Sequence, residues 1–522
     1  MKKYSYGQRL KFSVFGTSHG PYIGLKAQGL PEGRTIDLQK LKVFMARRAP
    51  AERGELSTSR REDDEFQIIS GLKEGILTGE DLEVIIPNKD AKRADYDELK
   101  AIPRPGHADL GAYLKYGINF DMSGGGPFSA RLTAAMCFLG AICLQLLEED
   151  YSCKIAAHIL KIGEASDTPF NPCEPQITEI DEVYPVIDKD AAEKMKELTA
   201  EAARQKDTLG CIIECAVIGF PSGIGGAYFE GIEGKLSDML FSIPAVKGVD
   251  FGAGFEASAM KGSQNNDPFF IKEGKIAAET NNSGGILGGI SIGSPILMKV
   301  AFKPPSSVGI MQKSVDMAKM EEVSIYIKGR HDPCVALRAV PVVEAAAAIA
   351  LYDMIKKAKG NIYLIGMPGS GKTTVGKALS HMTGLLFFDT DSLVVDKAGM
   401  SIPEIFSKYS EEYFRGLEKE IISRVSGFTQ CIIATGGGSV LDNDNRKKIK
   451  NSGVCVYIMR DIQKLASEGR PLSSSKEEIS KLYKNRNPIY ELMSDIVADN
   501  NFTAEHCAKN IAEELELVTI NE

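Results

Sequence analysis

Two hydrophobic rhythms divide the chain. Over 361–522, short apolar runs at 362–365, 385–388, 431–434 and 454–458, with a weaker one near 495–498, alternate with helical periodicity at 371–382, 402–424, 442–451 and 503–515. Such alternation predicts βαβ units and a parallel sheet covered by helices. Upstream, helical patterns at 37–48, 127–148, 189–206 and 342–356 stand among many short strands bounded by glycine. That mixture predicts an α+β fold, and the periodicity alone does not give its topology. The connector Lys356-Lys357-Ala358-Lys359-Gly360 parts an Ala-rich helical pattern from a strand. One domain is therefore placed at 1–356 and a second at 361–522.

A length of 522 residues calls for more than one domain, and 43% apolar with 25% charged residues is an ordinary globular balance. Sixty-two Lys and Arg against 70 Asp and Glu leave a net charge of −8, which argues against a basic nucleic-acid-binding surface. The longest apolar run, 134–147, falls short of the ~20 residues of a membrane span, so no membrane segment is expected. Ten cysteines without a paired framework, and no apolar leader after Met1, point to free thiols in a reducing cytoplasm. Cys211 and Cys215 lie in a β-like run with no second ligand pair, which disfavours zinc.

The most specific chemical signal is Gly366-Met-Pro-Gly369-Ser370-Gly371-Lys372-Thr373, a GxxxxGK[ST] loop between a strand and a helix. Its glycines let successive N–H groups converge on phosphates; Lys372 reaches the β/γ-phosphates and Thr373 holds Mg²⁺. Asp389 and Asp391 follow the next strand, Arg415 and Glu418 share a helix face, and Gly436-Gly437-Gly438 ends the third strand. In the larger domain, His19, His107 and His331 sit in Gly/Pro-rich turns, where a histidine serves catalysis more readily than packing. Arginines recur around them, at 47, 48, 53, 104, 131 and 330. In an acidic chain these suit a small polyanion. Arg60-Arg61, beside Glu62-Asp63-Asp64, reads instead as a solvated face.

With the P-loop, the Asp389-Thr-Asp391, Phe414-Arg415-x-x-Glu418 and GGG segments, 361–522 resembles shikimate kinase. The resemblance implies an α/β P-loop kinase domain using ATP and Mg²⁺. Gly369 to Thr374 hold the nucleotide, Thr373 and Asp389 the metal, and Asp391 with Gly437 the shikimate ring. Arg415 and Arg486 clamp the shikimate carboxylate, and Arg470 lies in a short lid that meets the ATP phosphates. The residues alone leave open a kinase for another small polyol acid such as gluconate, or a regulatory nucleotide-binding module.

The GTSHG, RPGHAD, SARLT, KGSQN, GGILGG, KPPSS and GRHDPC segments, in that order through 1–356, resemble chorismate synthase. This implies an α+β β-α-β sandwich, a homotetramer assembled through this domain, reduced FMN, and 1,4-elimination of phosphate from 5-enolpyruvylshikimate-3-phosphate. His107 then protonates the departing phosphate, His19 the reduced flavin, and Asp332 assists loss of the ring proton. Arg48, Arg104, Arg131 and Arg330 hold the substrate's anions. FMN meets Ser129, Ala245, Gly288, Lys303, Pro304, Pro305, Ser306, Ser307 and Arg330, with Arg48 and Arg53 as further cofactor-binding residues, although the shifted spacing beside Arg53 departs from the family's pattern and argues against a nicotinamide (NADPH) contact there. Pro127-Phe128 replaces the Arg-Ser often found before the SAR triplet, which removes a phosphate donor. Without the resemblance, an oligomeric scaffold with a relict anion site stays open. The combined reading is a cytoplasmic fusion enzyme with small-molecule substrates and no nucleic-acid or membrane partner.

Overall fold

The structure, a computed structural model, describes residues 4–49, 64–88, 101–272, 275–327, 332–357, 360–428, 430–465, 476–515 and 517. The chain forms two compact units, Met1–Lys357 and Ala358–Glu522.

The first unit runs β1 (Tyr4–Tyr6), β2 (Lys11–Gly16), β3 (Tyr22–Gln28), α1 (Leu38–Arg48), β4 (Gln67–Ser70), β5 (Leu82–Pro87), α2 (Asp109–Tyr116), α3 (Thr133–Tyr151), β6 (Lys154–Ile162) and β7 (Ala165–Ser166). It continues through α4 (Lys189–Arg204), β8 (Cys211–Ile218), α5 (Ile232–Phe241), β9 (Val246–Phe251), β10 (Ile296–Phe302) and α6 (Ala336–Lys357). Two antiparallel five-stranded sheets form, in the orders β1-β2-β3-β5-β4 and β9-β10-β8-β6-β7. Helix α3 touches strands of both sheets and packs on α1 and α6, so the helices form the middle layer. Their sequence explains the position: α3 is apolar nearly all round and buried from Thr133 to Cys143. A span over 123–151 is long and apolar enough to cross a bilayer by length and composition, and 83% of its most apolar window is buried inside the unit. It is the core helix.

The helix expected from 127 begins only at Thr133, because Ser129 is extended (φ −70°, ψ 137°) and its hydroxyl accepts from the Arg131 N–H, which sets a short tight turn over Ala130–Leu132 before the α-helix starts. Helix α6 starts earlier than expected, at Ala336, and absorbs Pro341. Helices α2 and α5 were not legible as periodic segments.

The second unit runs β11 (Asn361–Ile365), α7 (Lys372–Thr383), β12 (Leu386–Asp389), α8 (Thr390–Ala398), α9 (Ile402–Lys408), α10 (Glu411–Val425) and β13 (Cys431–Ala434). It ends with α11 (Asn443–Ser452), β14 (Gly453–Met459), α12 (Lys476–Met493), β15 (Ile496–Asp499) and α13 (Ala504–Glu514). All five strands are parallel, ordered β12-β13-β11-β14-β15, with an apolar core on each face. The single helix expected over 402–424 is two, because Ser410 caps a new start by accepting from the Tyr413 N–H at 3.2 Å. Helix α12, with Pro488 inside it, was not anticipated.

Candidate active sites

In the first unit a cavity of about 660 Å³ lies where α1 ends, α3 and α6 begin, and the segments after α5 and β10 pass. Two helix N-termini at its wall favour anions. Among the described residues six cationic side chains line it, Arg48, Arg104, Arg131, Arg338, Lys247 and Lys303, with one carboxylate, Asp332. Arg48 and Arg131 both pair with Asp64, which is fully buried. Arg48 also donates to the Thr133 hydroxyl at 3.1 Å and Arg131 to the Asn88 side-chain oxygen at 3.1 Å. Burial would raise the Asp64 pKa, but the two guanidinium groups reverse this and hold it below the usual carboxylate range. The solvated face expected around Asp64 is thus wrong for that residue. It is the counter-ion beneath two cavity arginines.

Arg104 and His107 are arranged by another buried carboxylate. Asp109 accepts from Arg104 Nε at 2.6 Å and Nη2 at 2.8 Å, and lies 2.7 Å from His107 Nδ1. Burial opposes its ionisation, yet the bonds from Arg104 and His107 hold its pKa well below the ordinary value. Arg104 Nη2 lies 3.2 Å from the same Nδ1, so the carboxylate and the guanidinium together fix the imidazole ring. Asp332 accepts from Arg338 at 2.8 Å, and Arg338 Nε also donates to the Arg48 carbonyl at 3.3 Å. Burial first, then the neighbouring Lys247, lowers the Lys303 pKa; its ammonium donates to the Gly106 carbonyl at 3.0 Å.

The cavity brings together Arg48, Arg104, His107, Ser129, Arg131, Ala245, Lys303, Pro305, Ser306, Ser307 and Asp332. His19 is buried behind it: a Cβ on the lining Gly124 would collide with the His19 ring, and one on Gly125 would lie 3.6 Å from His107 Nε2. One glycine turn therefore separates the two histidines. Pro304 is not on the wall. Gly288 is elsewhere, in the hairpin joining 286–287 to 290–291. Arg53, Arg330, His331 and Arg470 lie outside the described residues. Sequence reasoning missed Asp64, Arg338 and Lys247; for Asp109 the His-x-Asp spacing was the available signal. Among the described residues no group of three or more His, Cys, Asp or Glu could hold a metal ion, and Cys211 and Cys215 are buried free thiols.

In the second unit the phosphate loop follows β11, and Gly371 (φ 96°) turns it into α7. The Lys372 ammonium donates to the loop's own Gly366 and Met367 carbonyls, each at 2.9 Å. Thr373 donates to Asp389 Oδ2 at 2.6 Å, while Oδ1 caps α8 by accepting from the Asp391 N–H at 3.0 Å. A hydroxyl and a carboxylate thus converge beside the loop, the sparse protein set that Mg²⁺ uses with phosphate oxygens and water. Beyond it, Arg415 donates to Glu418 at 2.8 Å, and the Ser439 hydroxyl holds the other Glu418 oxygen at 2.7 Å. Burial would lower the Arg415 pKa, but Glu418 and Glu411 outweigh it and raise it. Glycines 436 to 438 press on these groups: a Cβ at Gly436 would come 2.6 Å from Asp391 Oδ1, and one at Gly438 would strike Arg415. Gly437 is fixed by Tyr490, whose hydroxyl donates to its carbonyl at 2.5 Å. Arg486 is buried one helical turn before Tyr490; burial pushes the Tyr490 hydroxyl up to about 12.

The family model described as chorismate synthase matches residues 10–355, and that described as shikimate kinase matches 368–516. A chorismate synthase from Lancefieldella parvula is 42% identical over 366 residues, covering 67% of this chain and 96% of its own length. One from Thermococcus gammatolerans is 41% identical, covering 68% and 98%. A solved chorismate synthase is 25% identical with a TM-score of 0.53, covering 67% of this chain and 93% of that one.

Proposed function

Because the chain belongs to the chorismate synthase family through 10–355 and carries a shikimate kinase domain over 368–516, we propose how each unit performs its reaction. The observation that carries the first is the buried Arg104–Asp109–His107 cluster facing a cationic cavity. The substrate, 5-enolpyruvylshikimate-3-phosphate, brings one phosphate and two carboxylates to that surface. Arg48, Arg104 and Arg131 hold them, their positions set in advance by Asp64 and Asp109. His107 holds a proton on Nε2 for the bridging oxygen as the C–O bond breaks and phosphate leaves. Asp332, held in place by the 2.8 Å hydrogen bond from Arg338, takes the ring proton.

A cavity of this size suits a substrate with a flat cofactor. The backbone-rich wall of Ser129, Ala245 (φ 76°), Ser306 and Ser307 suits a planar ring and its phosphate tail. Reduced FMN, when bound, supplies an electron-rich ring that promotes departure of the phosphate. His19, across the glycine turn, holds a proton near that ring. With Phe128 in place of a polar donor, this wall binds the ring by contact more than by hydrogen bonding.

In the second unit, ATP lies on the loop 369–374 with Lys372 at its phosphates and Mg²⁺ on Thr373 and Asp389. Asp391 accepts the proton of the attacking shikimate hydroxyl, and Arg415 with Arg486 binds the carboxylate. No covalent intermediate is needed. The protein is read as a cytoplasmic homotetramer assembled through its first unit.

One anaerobic assay tests the elimination: chorismate forms with chemically reduced FMN, and repetition with NADPH and oxidised FMN shows whether the protein reduces its own flavin. ATP turnover stimulated by shikimate tests the kinase; stimulation by gluconate and not by shikimate would overturn the substrate reading.

A further inference from the structure

The sheet of the second unit sorts its ligand groups by side. Strand β11 delivers the phosphate loop from the centre, and β12 and β13, on one side, deliver Asp389, Asp391 and the 436–438 glycines. These are the acceptor groups. On the other side β14 ends at Met459 and β15 at Asp499, so Arg460 and Asn500 stand at the carboxyl ends of the strands, where open α/β sheets bind ligands. Asn500 is tied to the loop. Asn500 donates from its side chain to the Ser370 carbonyl at 2.7 Å and from its backbone to the Met459 carbonyl at 2.8 Å.

The half-buried Arg460 lies over the loop's last glycine: a Cβ on Gly371 would be 3.8 Å from its Nη1. Its Nε is buried and has no hydrogen-bond partner among the described residues. The nearby acids are engaged elsewhere. Asp461 caps the following turn by accepting from the Gln463 N–H at 3.0 Å, and Asp499 accepts from Asn501 at 2.9 and 2.7 Å. A buried, unmatched guanidinium N–H costs free energy that an anionic partner recovers.

We propose that Arg460 is a nucleotide-binding residue whose guanidinium takes the α-phosphate of ATP. This deepens the kinase reading and rests on it. Lys372 and the N-terminus of α7 serve the terminal phosphates, and the acceptor occupies the β12–β13 side. The nucleotide must therefore leave the loop toward β14 and β15, past Arg460. An arginine there adds affinity for ATP and ADP alike without touching the acceptor.

Titration calorimetry on the full chain tests this with Mg-ADP and, separately, with shikimate. Arg460→Ala should weaken ADP binding by roughly tenfold or more, as loss of a charge-assisted hydrogen bond predicts, and leave shikimate affinity within about twofold. Arg460→Lys should keep most of the ADP affinity, because an ammonium still pairs with a phosphate as a point charge. Unchanged ADP affinity in Arg460→Ala overturns the proposal. So does an equal loss for shikimate, or a lysine variant as weak as the alanine one, which would mark stacking or a structural role. Wild-type protein that binds ADP but does not phosphorylate shikimate would instead refute the substrate reading and leave Arg460 in place.

Discussion

The arginines of the first cavity and the phosphate-loop Lys372 of the second unit are held in opposite ways. In the elimination cavity four of the six lining cations are held by carboxylates that are not the substrate's: Arg48 and Arg131 by Asp64, Arg104 by Asp109, Arg338 by Asp332. In the kinase unit Lys372 spends its hydrogen bonds on the carbonyls of the loop it serves. The first arrangement is set before substrate arrives, and its cost was met during folding. The second would exchange partners on binding if Lys372 serves the phosphates as proposed. Preorganised charge suits a step in which phosphate departs from a fixed ring. Exchangeable charge suits transfer between two bound molecules.

The sharpest way to break this contrast is to remove the reacting groups. His107→Ala should lower chorismate formation by ~10²–10⁴-fold, the range for lost general acid catalysis, with shikimate phosphorylation and the spectrum of bound reduced FMN unchanged. His19→Ala should alter that spectrum, and identical spectra in both variants would remove His19 from the flavin. Lys372→Ala should reduce shikimate phosphorylation by ~10²–10³-fold, as for a lost charge-stabilising donor, and spare chorismate formation. Equal loss of both activities would show that the units are coupled.

Asp64→Ala is next in size. Leaving two buried guanidinium groups without their counter-ion should destabilise the first unit by about 3–5 kcal/mol, seen as a lowered unfolding midpoint; a midpoint unmoved would mean that the pairs are not formed. Arg415→Lys loses the fork for the shikimate carboxylate, about 1.5–3 kcal/mol of shikimate binding, and a fall in ATP affinity instead would reassign it.

The smallest effect concerns His158, fully buried between Asp167 at 2.8 Å and Glu214 at 3.0 Å. Burial lowers its pKa, but the two carboxylates outweigh burial and raise it. A raised folded pKa contributes stability that is complete below the unfolded value of ~6.5 and is lost as pH rises through the folded value. The midpoint of the first unit should therefore fall with rising pH above neutrality, and His158→Gln should flatten the curve. A wild-type midpoint independent of pH would show that His158 is neutral in the native state.

Legibility in the sequence followed locality. The phosphate loop, Asp389, Arg415 and Gly436–Gly438 lie in short contiguous segments whose meaning depends on neighbours a few residues away, and the alternation of β11 to α13 is periodic. Asp64 pairs with Arg131 and Arg338 reaches the Arg48 carbonyl, contacts that only the fold creates, so an acidic run beside Arg60-Arg61 looked solvated. The extended Ser129 cut the first turns from a pattern over 127–148 that reads as one helix. Helix α12 was hidden by Pro488 and its charged face, although it delivers Arg486 and Tyr490.

Helices α3 and α6 both start at the anion cavity, and they cross closely at Gly140, where a Cβ would lie 2.5 Å from the Ala345 Cα. Gly140 is seven residues from the start of α3, about 10 Å at 1.5 Å per residue. The pair works as tongs pinned at that crossing, with Thr133 on one jaw and Arg338 on the other. A single methyl group at the pin would spread the jaws, so the gauge of the anion site is fixed by a position that never meets the substrate.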